Sequence, residues 1–143
     1  MDEQNQAGDK ETMTTTTVEK TIESFIHKTI PKVYGRPTYE KIAEVHRLLT
    51  ANAASIKSSL GGGAFGHLGI MLEGTAYFTQ TGAVFNAPVF PGELPAYPPH
   101  ATTRDMSILK GQWEQTSQVY NTYHTVEAAL KQQLIEAFED MYL

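Results

Sequence analysis

The sequence predicts an all-α fold, and three observations carry that prediction. Apolar residues recur at steps of three and four in three separate stretches, the signature of one buried helix face. Two of these stretches open on Thr38 and Thr102, hydroxyl residues suited to cap a helix N-terminus. Between them lie glycine and proline clusters that exclude a helix or a central strand.

The elements follow in chain order. Residues 1–20, rich in Gln, Asp, Glu and Thr, hold too little apolar surface to offset their ordering entropy, and a disordered tail is expected. Val18, Ile22, Phe25, Ile26 and Ile30 then keep a helical rhythm up to Pro31, and Val33 to Pro37 reads as a connector. The next helix starts after Thr38, with Glu40 in its first turn, where the helix dipole favours a carboxylate. Its expected buried stripe is Ile42, Val45, Leu49 and Ala53, widened by Tyr39, Leu48 and Ile56. Lys41, Glu44 and Arg47 take the solvated side. Ala51 to Ala54 permits either one helix to about Leu60 or a break near Asn52. Gly61-Gly62-Gly63 is expected to end it, because glycine supplies the positive φ of a helix terminus.

Ala64 to Thr81 is ambiguous. Phe65, Leu68, Met71 and Leu72 fit a helical face, and Tyr77 and Phe78 extend it or form a second turn after Gly74. From Val84 to Pro99, Pro88, Pro91, Pro95, Pro98 and Pro99 alternate with Phe85, Val89, Phe90, Leu94 and Tyr97. This pattern predicts an extended segment laid over the core. A long C-terminal helix or helix pair follows, capped at Thr102 or Thr103 with Asp105 in capping-box position. Leu109, Trp113, Tyr120, Tyr123, Leu130, Leu134, Ala137 and Met141 set its rhythm. The weak helix formers Asn121 to Thr125 allow a kink or a split.

Composition limits the function classes. The 143 residues suit one domain, expected over residues 21–143 after the tail, and Leu, Ile, Val and Phe make up just over a fifth of them, a modest core. Having no cysteine excludes disulfides, iron–sulfur clusters, thiol nucleophiles and Cys-based zinc sites. A net charge of -5 opposes sequence-independent nucleic-acid binding, which needs a basic face. The polar, acidic start does not fit a signal peptide. The longest uncharged run, Gly74 to Gly92, contains two prolines and three glycines and is unsuited to a membrane-spanning helix. A cytoplasmic protein without a membrane partner is expected.

Several motifs invite chemistry. Gly61-Gly62-Gly63-Ala64-Phe65-Gly66 satisfies the G-x-G-x-x-G spacing of dinucleotide sites. A helix precedes it where a strand is required, and no acidic residue stands near Ala83 to hold a ribose. Gly61, Gly62, Gly63, Gly66 and His67 are therefore read as a structural joint, with His67 hydrogen-bonded to a carbonyl of the glycine turn. A small-ligand or nucleotide site on this loop is the alternative. His27, His46, His100 and His124 show no metal-ligand spacing. Glu127, Glu136, Glu139 and Asp140 read as a solvated helix face. Carboxylates at a helix C-terminus oppose its dipole, which predicts that the natural chain continues past Leu143. No catalytic, cofactor or metal residue is assigned, and no small-molecule substrate is expected. Trp113, Tyr120, Tyr123, Phe138 and Met141 form the candidate association surface, since aromatic anchors dominate interfaces. Recognition of the segment 84–99 as an extended ligand by a partner is a further alternative.

Two blocks and a middle segment carry a family resemblance. These are Leu60-Gly61-Gly62-Gly63-Ala64-Phe65-Gly66-His67-Leu68-Gly69-Ile70-Met71-Leu72, the Phe90-Pro91-Gly92 region, and Val126-Glu127-Ala128-Ala129-Leu130-Lys131-Gln132-Gln133-Leu134-Ile135 through Tyr142-Leu143. Together they resemble the N-terminal, capsid-type part of Gag-like proteins of copia-type long-terminal-repeat retrotransposons, as found in algae and other microbial eukaryotes. The resemblance covers about three quarters of the chain, from Pro31 to Leu143. It implies a helical, non-catalytic protein that self-associates into a homo-oligomeric shell. Element RNA would be met only indirectly, through a downstream region carrying a zinc knuckle. The chain differs from the pattern at Phe65, where histidine is common.

Overall fold

The computed structural model describes residues 17–141. They form four α-helices and one 3-10 turn: α1 over 17–24, α2 over Tyr39–Ser55, a turn over Leu68–Ile70, α3 over Gly74–Thr81 and α4 over Thr103–Phe138. The described residues contain no strand, only an isolated parallel bridge between Gly35 and Met141. No described helix is long and apolar enough to cross a membrane.

The expected tail lies outside the described residues except for residues 17–20, which are already helical and move the start of ordered structure upstream. Helix α1 is shorter than the rhythm to Ile30 implied. It ends at residue 24, after which Phe25 and Ile30 turn into the core while Ile26 stays 67% exposed.

Helix α2 ends at Ser55, three residues past Asn52 and short of Leu60, and Asn52 ties its last turn to the chain that follows α1. Its Oδ1 accepts from the His27 backbone N–H at 2.8 Å, and its Nδ2 donates to the His27 carbonyl and to Gln133 Oε1, both at 2.9 Å. Gln133 Nε2 donates in turn to the carbonyls of His27 and Lys28. Both amides are buried, so the network satisfies the non-helical backbone after α1 and joins it to α2 and α4. Asn52, a weak helix former, is thus held in the last turns of α2 by tertiary bonds.

The core is built from Phe25, Ile30 and Val33, from Val45, Leu48, Leu49 and Ala53 of α2, and from Val126, Ala129, Leu130 and Ala137 of α4. Tyr39 and Ile42, expected in the buried stripe, lie outside it at 86% and 47% exposure. Thr38 caps α2 by accepting from the Lys41 N–H. Thr102 and Asp105 form a reciprocal capping box on α4.

Helix α4 is a single 36-residue element about 54 Å long, with no split at Asn121 to Thr125. The propensity deficit there is a few tenths of a kcal/mol per residue, roughly, and the packing of Tyr123 and Val126 overrides it. The acidic end of α4 also finds a partner within the chain. Lys32 Nζ lies 3.1 Å from Glu139 and 3.0 Å from Asp140, which raises the lysine pKa through both hydrogen bonds. The Val33 N–H caps the Ala137 carbonyl at 2.7 Å. This cation offsets the unfavourable meeting of the two carboxylates with the helix dipole.

Candidate functional site

The glycine stretch does not terminate α2, which ends earlier, at Ser55. The loop instead folds back onto the helix end. The His67 N–H donates to the Ala53 carbonyl at 2.9 Å, and His67 Nδ1 bonds the Ile56 carbonyl at 2.8 Å. The acceptor thus belongs to the end of α2 and not to the glycine turn, and the loop supplies donors to carbonyls that a helix C-terminus leaves unpaired. Gly66 makes the approach possible: its φ is +57°, and a Cβ there would strike the carbonyl oxygens of Ala54 and Ile56. Burial holds the His67 pKa below the ordinary histidine range, and the bond to Ile56 opposes this in part. A proton on Nδ1 makes this bond a donation from a neutral ring.

Beyond the joint, Phe85 lies against Gly69, where a Cβ would overlap its ring, and packs on Tyr77 and Tyr123 at centroid distances of 5.4 and 6.2 Å. Tyr77 is fully buried and donates its hydroxyl to the Gly61 carbonyl at 2.6 Å. A small polar cleft of about 160 Å³ opens beside His67, lined also by Lys57, Ser58, Ser59, Gln118 and Thr122. No cluster of His, Asp and Glu suited to a metal ion occurs among the described residues.

The five residues of the candidate association surface do not come together. Trp113 and Phe138 are 25 positions apart on one helix, about 37 Å. Trp113 and Tyr120 meet the Pro-rich segment: Trp113 Nε1 donates to the Gly92 carbonyl at 3.1 Å, and the Phe90 ring lies 5.5 Å from Tyr120. His124 stacks on Tyr120 at 5.3 Å. Tyr123 faces His67 and Phe85, and burial, followed by the nearby Glu127 carboxylate, raises its hydroxyl pKa. Phe138 and Met141 pack against the edge of the core. The segment 84–98 has neither helix nor strand, and it touches α4 through few side chains. Val89 is 81% and Phe90 66% exposed.

An apolar groove lies between α2 and α4. Ile42, Val45, His46 and Leu49 form one wall, Glu127, Leu130, Lys131, Leu134 and Phe138 the other, and Ile70 and Met71 close one side. Its volume is about 330 Å³. Ile42 and Leu134 stand half-open on its rim, and Ile135 is exposed beside Leu134. Trp113, Tyr120, Glu127 and Leu134 follow at intervals of seven, which on an α-helix drift by only about 20° per step. They therefore share one face of α4. The Pro-rich segment lies over the first half of that face, and the second half forms the groove wall.

The sequence places Ile42 in a buried stripe and Leu134 in the apolar rhythm of the last helix, and gives Ile135 no packing role. The usable signal was width: Leu130, Leu134, Ile135 and Phe138 make a broader apolar band than one neighbouring helix covers. No family model, curated protein or solved structure matches this chain.

Proposed function

We propose that this chain is a structural, non-catalytic helical module that works by self-association in the cytoplasm, in the manner of the Gag-like capsid proteins of copia-type retrotransposons. The observation that carries this reading is the open α2/α4 groove. Its floor is continuous with the hydrophobic core, and its rim places Ile42, Leu134 and Phe138 in partial contact with water. Large apolar side chains gain about 1.5–3 kcal/mol each from full burial, so covering this groove favours association. The resemblance of the glycine-histidine and terminal-helix blocks supports a shell-forming role, with element RNA engaged only indirectly. The acidic charge balance fits a part that contacts protein rather than phosphate.

Light scattering across a concentration series tests the proposal. The weight-average mass rises with concentration if the chain self-associates. A strict monomer at millimolar concentration, over a range of salt, contradicts it.

A further inference from the structure

We infer that the groove between α2 and α4 receives the Val89-Phe90-Pro91 stretch of a second copy, so that chains join head to tail. This rests on the self-association proposed above and specifies its two surfaces.

The first argument is continuity. One face of α4 runs from Trp113 through Tyr120 and Glu127 to Leu134, and its first half already carries the Pro-rich segment, through the Phe90 contact with Tyr120 and the Trp113 bond to Gly92. The second half offers the same apolar helix surface uncovered. The segment is suited to use it, because Val89 and Phe90 direct most of their surface to solvent while Pro88 and Pro91 stiffen the backbone in an extended form. Little conformational entropy remains to be lost on docking.

Size agrees. An apolar cavity of about 150 Å³ holds one benzene, so the groove of about 330 Å³ has room for a phenyl ring and a second apolar side chain. Among the described residues, the only charged pair on its lining, Lys131 with Glu127 at 3.7 Å, is already matched within the chain, so the groove offers an apolar occupant no net charge to oppose it.

Geometry makes the contact intermolecular. Phe90 sits at Tyr120, and Leu134 is fourteen positions further along α4, about 21 Å away. The segment and the groove are different patches, so the interface is heterologous and each chain keeps one free donor and one free acceptor. Such contacts extend into rings or filaments and do not stop at a dimer.

The test uses the full chain and four exposed-position variants, with far-UV circular dichroism as the folding control and sedimentation velocity as the readout. Phe90→Asp and Val89→Asp remove the donor; Leu134→Asp and Ile42→Asp remove the acceptor. Each single variant is expected to weaken association roughly thirtyfold or more, the loss typical of an interface anchor. An equimolar mixture of Phe90→Asp and Leu134→Asp is expected to form a 1:1 dimer and nothing larger, because only one intact donor and one intact acceptor face each other. Wild-type chain that assembles while both donor variants assemble equally well overturns the inference and leaves self-association standing, with some other occupant in the groove. A folded mixture that stays monomeric also overturns it. Wild-type chain that stays monomeric overturns the self-association reading and this inference together.

Discussion

The two halves of α4 share one helix and one apolar face, yet they are held by different partners. In the C-terminal half, Val126, Ala129, Leu130, Gln133 and Ala137 are buried against α2 and the chain that follows α1. From Thr103 to Thr125 no residue is fully buried, and Met106, Leu109, Trp113 and Tyr120 are only half covered. The difference teaches that an apolar rhythm marks the face a helix presents without saying what covers it. A packed helix, an extended proline-rich strap and an open groove all succeed one another on the same stripe.

Asn52→Leu strikes the packed half hardest. It leaves the His27 N–H and the Gln133 carbonyl without partners in the core, and each such loss costs about 1–3 kcal/mol. A total of about 4 kcal/mol is expected by denaturant titration, a large share of the roughly 5–15 kcal/mol that holds a domain folded. Leu130→Ala follows at about 3 kcal/mol, against less than about 1 kcal/mol for Leu109→Ala on the strapped half. Equal costs at the two positions would erase the distinction between the halves.

Trp113→Phe tests the strap alone. Loss of the bond to Gly92 costs about 1 kcal/mol locally. Limited proteolysis within residues 87–97 is expected to quicken several-fold while the global melting temperature barely moves.

The smallest effect is the pH response of His67, at the junction of the halves beside Tyr123. Its pKa is depressed in the fold, so the unfolded chain takes up a proton more readily. The stability that comes from neutral His67 is complete above the ordinary value of 6.5 and is lost as pH falls from there toward the folded pKa. His67→Asn keeps a donor for the Ile56 carbonyl and should flatten that part of the stability profile, as measured by thermal melts between mildly acidic and neutral pH.

Much of the helical architecture was legible because its signals are local. Thr38 and the Thr102/Asp105 pair announce helix starts through side-chain chemistry that acts within one turn. Where the reading differed from the structure, distant residues decided the outcome. The sequence left open a helix to about Leu60 or a break near Asn52; α2 ends at Ser55, and Asn52 itself is held in the helix by partners at His27 and Gln133, 25 and 81 positions away. The end of α2 is set by His67 returning to Ala53 and Ile56, which no window around Ser55 reveals. Lys32 answers Glu139 and Asp140 across more than a hundred residues. The groove was partly visible, as excess apolar width on α4. Its openness depends on α2 presenting Ile42 at the rim and not at the interface.

Hydrogen exchange followed by mass spectrometry at low and high protein concentration tests the central claim that one half of this face is closed by the chain itself and the other by a neighbouring copy. The account predicts that residues 41–49 and 127–138, together with 85–93, exchange more slowly as concentration rises, while residues 103–119 are unchanged. Added protection spread along 103–119, or none anywhere as concentration rises, would contradict it.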